Sequence, residues 1–153
     1  MNDAGPYKVV SSRLFDHSPE RLFAAFSDVK ALKQWWGPQD FTNTIEDFDF
    51  RPGGVWRHTM NAPDGSAFDN DSEFIEIDRP NRISFLHKGP MHVFTLTMDF
   101  IPRGTQTELV WTMDSQNMGE NKDMPGFIEA ANQQNFDKLA ALLSDGRSKG
   151  AEP

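Results

Sequence analysis

The alternation of apolar and polar residues predicts one strand followed by two short helices. Tyr7 to Phe15 is a β-branched and aromatic run of the kind that forms strands. Ser18 can cap a helix that begins at Pro19, because its hydroxyl accepts from backbone amides and proline suits the first helical position. A second helix is predicted over Asp28 to Trp35, where Gly37-Pro38 then ends the helical pattern.

From Phe41 to about Asp114 the pattern changes to strand-like runs separated by turn residues roughly every ten positions. Such spacing is typical of antiparallel strands joined by short turns. The predicted strands are Phe41–Phe50, Val55–Met60, Phe68–Ile77, Arg82–His87, Val93–Ile101 and Gln106–Met113.

The last predicted element is a long helix from Pro125-Gly126 to about Leu143, with Gly146 as its cap. The element order therefore predicts an α+β fold. We expect a seven-stranded curved antiparallel sheet that grips the long helix, with the two short helices placed after the first strand. A bent sheet around one helix favours an apolar pocket between them. No linker or repeat divides the chain, so a single domain over residues 1–153, with its core at about 7–143, is predicted.

The charge balance narrows the classes of partner. The chain has 15 Lys and Arg against 23 Asp and Glu, a formal net charge of −8. Nucleic acid and anionic membranes favour a basic surface, so neither is expected as a partner. The absence of cysteine excludes disulfides, thiolate zinc sites and cysteine nucleophiles. The first residues lack the basic and apolar segments of a signal peptide, so we expect a cytoplasmic protein.

The turn Arg51-Pro52-Gly53-Gly54 is predicted to be structural. Glycine tolerates a positive φ and lets another backbone segment approach closely, and if Gly53 or Gly54 has φ above zero, a β-branched residue there should destabilise the fold. Asp49 and Arg51 lie two residues apart on one strand face and are expected either to pair with each other or to brace this turn.

Several segments, taken in order, resemble one protein family. The segments are Arg13-Leu14-Phe15-Asp16, Pro19-Glu20-Arg21-Leu22-Phe23-Ala24-Ala25-Phe26, Trp35-Trp36-Gly37-Pro38, Phe48-Asp49-Phe50-Arg51-Pro52-Gly53-Gly54-Val55-Trp56, Pro63-Asp64-Gly65, Glu76-Ile77-Asp78-Arg79-Pro80-Asn81-Arg82-Ile83 and Asn132-Gln133-Gln134-Asn135-Phe136-Asp137-Lys138-Leu139. They resemble the bacterial single-domain homologues of the activator of the ninety-kilodalton heat-shock chaperone's ATPase, within the SRPBCC (START and Bet v allergen-like) superfamily. The resemblance covers about residues 7 to 143. It implies the helix-grip fold, binding of varied apolar ligands and, through the family's name, contact with a heat-shock chaperone.

The spacing of apolar residues predicts which side chains face the interior. Residues two apart on a strand share a face, as do residues three or four apart on a helix. The predicted ligand-cavity residues are Trp56, His58, Met60, Phe94, Leu96, Met98, Trp111, Met113, Ile128, Ala131, Asn135 and Leu139. Methionine among aromatic residues suits either an adaptable pocket or a filled core, and both remain open. In the Trp35-Trp36 pair, one indole is expected to fill the core and the other to border the cavity.

His58 is the member of this set that can transfer a proton near neutral pH. It alternates with Trp56 and Met60 on a strand face that is expected to point inward, where it is either a hydrogen-bonded core residue or a catalyst. It forms no metal-binding pattern with His17, His87 or His92, so neither a metal nor another cofactor is expected.

Three functions are compatible with these observations. The favoured one is binding of a small hydrophobic molecule in the cavity between the sheet and the C-terminal helix. The second is a co-chaperone-like interaction module that stimulates a heat-shock chaperone ATPase. The third is a cyclase-like or hydratase-like enzyme that uses His58, and enzymatic activity is the less favoured expectation. The sequence leaves homodimer formation open.

Overall fold

A computed structural model describes residues 7–37, 40–89, 93–115 and 124–144. The elements, in chain order, are β1 (Tyr7–Phe15), α1 (Pro19–Ser27), α2 (Val29–Trp35), β2 (Thr42–Phe48), β3 (Val55–Asn61), β4 (Ala67–Asp78), β5 (Arg82–Gly89), β6 (Phe94–Arg103), β7 (Gln106–Ser115) and α3 (Met124–Ser144). All the predicted elements are present, with bounds that differ by a few residues at most. The predicted cap at Gly146 lies outside the described residues.

The seven strands form one antiparallel sheet in the order β1-β7-β6-β5-β4-β3-β2. The helices cover the concave face of this curved sheet: α1 packs on β6 and β7, α2 on β2, and α3 on β1 and α2. The fold is therefore the predicted α+β helix-grip arrangement. Among the described residues, no helix is both long and apolar enough to cross a membrane.

Side-chain caps fix the residues at which the two short helices begin. The Ser18 hydroxyl accepts from the backbone N–H of Arg21 at 3.2 Å, as expected of an N-cap. Asp28 ends α1 and caps α2, because its Oδ1 accepts from the backbone N–H of Lys30 at 3.0 Å. The chain therefore changes direction at Asp28, and both helices can turn their apolar sides towards the sheet.

The turn between β2 and β3 has both features that glycine allows. Gly53 has a φ of 84°, and a Cβ on Gly54 would lie 1.9 Å from the carbonyl oxygen of Asp49. The turn is tied to β4, since the Gly53 N–H donates to the Phe74 carbonyl at 2.8 Å and the Phe74 N–H donates to the Gly54 carbonyl at 2.9 Å. Asp49 and Arg51 form an ion pair, with Arg51 Nε 2.8 Å from Asp49 Oδ2.

Polar side chains hold α3 against the edge strand β1. Arg13 lies 2.8 Å from a carboxylate oxygen of Asp137 and donates to the side-chain oxygen of Gln133 at 2.8 Å. One turn further towards the start of α3, the Ser11 hydroxyl donates to Glu129. These contacts fix where the N-terminal half of α3 lies relative to the sheet.

Candidate ligand site

Helices α1 and α2 cover a part of the concave face that is filled by aromatic rings. We call this part the aromatic half; its rings include those of Trp35, Trp36, Phe48, Phe74, Phe85 and Phe100. Trp35 has no exposed surface, and its Nε1 donates to the Ala25 carbonyl at 2.9 Å. The half-buried Trp36 ring lies 5.1 Å from that of Trp56 and 5.4 Å from that of Trp111. Trp35 therefore fills the core, and Trp36 occupies the space between the two inner indoles.

The aromatic half retains a small void. Its volume is about 10 Å³, about what one water molecule requires. It is lined mainly by the rings of Phe26, Trp36, Phe48, Phe50, Trp56 and Phe74, together with Met98. This void is too small for an organic ligand, so Trp56 and Met98 border packed core on this side.

Along β3 from Trp56 towards His58, the concave face becomes polar. Across β3 and β4, Trp56 is opposite Ser72 and His58 is opposite Asn70, while Ser72 is opposite His87 on β5. Strand alternation and register place all of these side chains on one face. We call His58, Asn70, Ser72 and His87 the polar patch. His58 is only 3% exposed and Ser72 only 1%.

Half of the polar patch is hydrogen-bonded. Asn70 Nδ2 donates to the Phe68 carbonyl at 2.9 Å, so its oxygen faces His87 Nε2 at 2.7 Å. This arrangement assigns a proton to His87 Nε2. By contrast, Ser72 Oγ and both ring nitrogens of His58 are buried with no hydrogen-bond partner in the described part of the chain.

The environment of His58 favours its neutral form. Burial, and secondarily the charge on nearby His87, lower the pKa of His58 from 6.5 to about 4. At neutral pH one ring nitrogen therefore donates and the other accepts. The ring stacks on Trp56 with centroids 4.7 Å apart. Almost all buried polar groups in native proteins are hydrogen-bonded, so His58 needs a partner that the described side chains do not supply.

Like the ring nitrogens of His58, the indole N–H groups of Trp56 and Trp111 are buried without a hydrogen-bond partner over the ranges that the structure describes. Trp111 faces Met98 across β6 and β7 and contacts Phe136 of α3 at a centroid distance of 4.7 Å. The interior therefore contains several unused donors.

The side chain of Asn135, predicted to line the cavity, is hydrogen-bonded through both of its polar atoms. Its side-chain oxygen accepts from the Gly37 N–H at 3.2 Å, and its Nδ2 donates to the Trp35 carbonyl at 2.7 Å. The amide thus clamps α3 to the end of α2. A Cβ on Gly37 would lie 2.8 Å from Met60 Cε, so Met60 lies directly beside the clamp. Ala131 is one turn before Asn135 on the same helix face.

The other predicted cavity residues fall into two groups. Leu96 and Met113 are opposite each other on β6 and β7, and both are buried, as is Leu139 of α3. The second group, which we call the rim residues, is only half-buried and consists of Met60, Phe94, Ile128 and Ala131. Phe94 connects this group to the polar patch, because its ring stacks on His87 with centroids 4.5 Å apart.

Sequence reasoning found His58 but not its neighbours in the polar patch. Ser72 and Asn70 carry no motif, and only the β3–β4 register shows that they lie beside Trp56 and His58. Within the described ranges, no group of three His, Asp or Glu side chains is arranged to hold a metal ion. His92 lies outside those ranges. The candidate site is therefore a polar patch that contains no carboxylate, beside the apolar rim residues.

Comparison with solved structures gives the fold independently. A crystal structure from Chromobacterium violaceum has a TM-score of 0.80 and 23% identity, and the match covers 89% of this chain and 96% of that chain. A structure from Nitrosomonas europaea has a TM-score of 0.78 and 18% identity, with 95% and 98% covered. A structure from Rhizobium loti has a TM-score of 0.74 and 26% identity, with 89% and 96% covered. These similarities establish a shared fold.

The chain matches no curated protein significantly. Its sequence does match the family model described as "Activator of Hsp90 ATPase homolog 1-like protein" over residues 16–144, which is most of its length. The matched range extends from the end of β1 to the last residue of α3. The chain therefore belongs to the family of Activator of Hsp90 ATPase homolog 1-like proteins.

Proposed function

We propose that the chain binds a small hydrophobic molecule between the concave face of the sheet and the N-terminal half of α3. The observation that carries this proposal is that half-buried apolar rim residues lie beside buried polar atoms that have no hydrogen-bond partner in the described part of the chain. A filled core buries its apolar side chains and pairs its polar atoms. In the aromatic half, Trp35 is fully buried and its indole N–H is hydrogen-bonded. By contrast, Met60 is only half-buried, and the ring nitrogens of His58 have no partner among the described residues.

The position of the rim residues supports this location. Met60 lies beside Gly37, and Ala131 lies on the helix face that Asn135 clamps to Gly37. An apolar molecule between them would remove Met60 and Ala131 from water, which is favourable in proportion to the area covered. Methionine adapts its shape to a guest at little cost.

A bulky residue at Ala131 tests this proposal. The probe is N-phenyl-1-naphthylamine, a neutral compound whose fluorescence rises in apolar surroundings. We expect the parent to bind it saturably, and Ala131→Trp to weaken binding about tenfold or more with little change in thermal stability. Ala130→Trp is the matched control, because Ala130 is exposed on the same helix and should leave binding unchanged.

Two results would contradict ligand binding. One is a parent protein that does not bind the probe at all. The other is a loss of roughly 1–3 kcal/mol in Ala131→Trp, the cost of overpacking a filled core, with probe binding unaffected. Either result would assign the rim residues to ordinary packing.

The matched family supports a second function, stimulation of a heat-shock chaperone's ATPase. Such a function requires an outer docking surface, so it does not depend on the interior. The test is the ATPase rate of the chaperone from the same cell with and without the chain. A rate increase caused equally by the parent and by Ala131→Trp would establish this function separately from ligand binding; an unchanged rate would exclude it.

A further inference from the structure

His58 and Ser72 are two buried side chains of the polar patch whose hydrogen-bonding atoms are unused among the described residues. Because His58 is opposite Asn70 and Ser72 follows two residues later on β4, the two are diagonal neighbours on one face. Such neighbours lie roughly 7 to 8 Å apart, and their Cβ atoms are somewhat closer than that. One small polar group above the sheet can therefore contact both side chains.

The polar patch is also poor in charge. Arg57 lies on the opposite face of β3, where it is 3.2 Å from Asp47 and 3.6 Å from Asp71. On α3, Glu129 accepts from Ser11. The titratable group that faces His58 from β5 is His87, which is hydrogen-bonded to Asn70. Within the described residues the patch thus offers donors and acceptors but no Asp, Glu, Lys or Arg side chain.

From this geometry we infer that the bound molecule carries an uncharged oxygen group, a phenol, alcohol or ketone, and that His58 and Ser72 hold this group at the inner face of β3 and β4. The inference rests on the proposed ligand binding and adds the class of ligand and its orientation. A neutral imidazole and a hydroxyl each supply one donor and one acceptor, which matches a hydroxyl or carbonyl oxygen.

Ionised ligands are disfavoured at the polar patch. A carboxylate or ammonium group transferred to this buried patch would lose its hydration, and no Asp, Glu, Lys or Arg of the patch would balance its charge, which is costly. A purely apolar ligand end would leave His58 and Ser72 unpaired in the complex, which also weakens binding. The uncharged oxygen group avoids both penalties.

Three naphthalenes of similar size test the inference at pH 7: 2-naphthol, 2-ethylnaphthalene and 2-naphthoate. Binding is measured by isothermal calorimetry on the parent, His58→Phe and Ser72→Ala. We expect either substitution to weaken 2-naphthol on the order of tenfold and to leave 2-ethylnaphthalene unchanged or tighter. We expect 2-naphthoate to bind the parent most weakly of the three. The ring ¹⁵N signals of His58 should shift when 2-naphthol is added to the parent.

Ser84→Ala is the matched control. Ser84 is another buried serine of the sheet, but it lies on the outer face, where its hydroxyl is 3.4 Å from that of Thr97. This variant should bind 2-naphthol as the parent does. The control therefore separates loss of a ligand contact at Ser72 from a general effect of removing a buried hydroxyl.

The outcomes distinguish this inference from the proposed function. If both substitutions change 2-naphthol and 2-ethylnaphthalene affinity equally, or if 2-naphthoate binds best, the inference is overturned while ligand binding stands. If 2-naphthol binds without shifting the His58 ring signals, the inference is also overturned, because the oxygen lies elsewhere. If none of the three naphthalenes binds the parent, the proposed function fails together with the inference.

Discussion

The aromatic half and the polar patch lie on the same concave face, and each contains side chains that are almost completely buried. In the aromatic half, Trp35 has no exposed surface and its one polar hydrogen is bonded. In the polar patch, His58 is 3% exposed, yet neither ring nitrogen has a partner among the described residues. Burial alone therefore does not distinguish core from binding site in this fold. Trp35 and His58 differ instead in the pairing of their polar atoms, and the indole N–H groups of Trp56 and Trp111 extend the set without a partner, among the described residues, beyond the polar patch.

The largest expected difference between the two regions is in stability. Trp35→Ala should lower the free energy of unfolding by about 3–5 kcal/mol, because it removes a fully buried indole and leaves a cavity. Met60→Ala should cost about 1 kcal/mol or less, since Met60 is only half-buried beside Gly37. Urea unfolding of both variants measures this contrast. Equal losses would mean that the rim residues are as tightly packed as the aromatic half.

The second expected effect is a pH dependence that originates in the polar patch. The pKa of His58 is about 4 in the folded chain against 6.5 for an ordinary histidine. Between these values the unfolded chain binds more protons, so stability falls as the pH falls from about 6.5 to about 4, by at most about 3 kcal/mol. Above a pH of about 6.5 the contribution of His58 to the stability is fully present.

Carboxylates also titrate over part of this pH range, and they do so equally in the parent and in His58→Phe. The difference between the two proteins therefore isolates the contribution of His58. The variant should lose the part of the pH dependence that belongs to His58. It should also be as stable as the parent at pH 7 or more so, since an apolar ring replaces buried nitrogens for which the described residues supply no partner. Superimposable curves of stability against pH for the two proteins would show that His58 is protonated as easily in the folded chain as in the unfolded one.

The smallest expected effect concerns the turn that anchors the aromatic half through Phe74. Gly53→Ala should cost roughly 1–2 kcal/mol, because alanine disfavours the positive φ of 84°. No atom lies within 4 Å of the added methyl group, so backbone conformation is the cause. Binding of N-phenyl-1-naphthylamine should not change. A weaker affinity in this variant would show that the turn and the ligand site are coupled, and that the two regions do not behave independently.

The fold followed from local patterns in the sequence. The run Tyr7–Phe15 is β1, and Ser18 with Pro19 starts α1 as its cap chemistry requires. The inward placement of Trp56 and His58 also followed from strand alternation, because both are buried.

The surroundings of the site depended on contacts between distant segments. Ser72 joins His58 only through the register of β3 and β4, which no local pattern specifies. Asn135 was predicted as a cavity residue from its helical spacing, but that spacing does not show that Gly37 and Trp35 use its amide. Sequence patterns thus predicted which faces turn inward, and long-range contacts determined which polar groups remain unused.

Methyl NMR on methionine-labelled protein tests ligand binding at the rim most directly. Met60 is half-buried at the rim, whereas Met98 is 2% exposed and lines the small void of the aromatic half. When N-phenyl-1-naphthylamine is added, we expect the Met60 methyl signal to shift saturably, because the probe's ring lies against it, and the Met98 signal to move much less. A Met60 signal that stays in place while the probe binds, or a Met98 signal that moves alone, would contradict the proposed site.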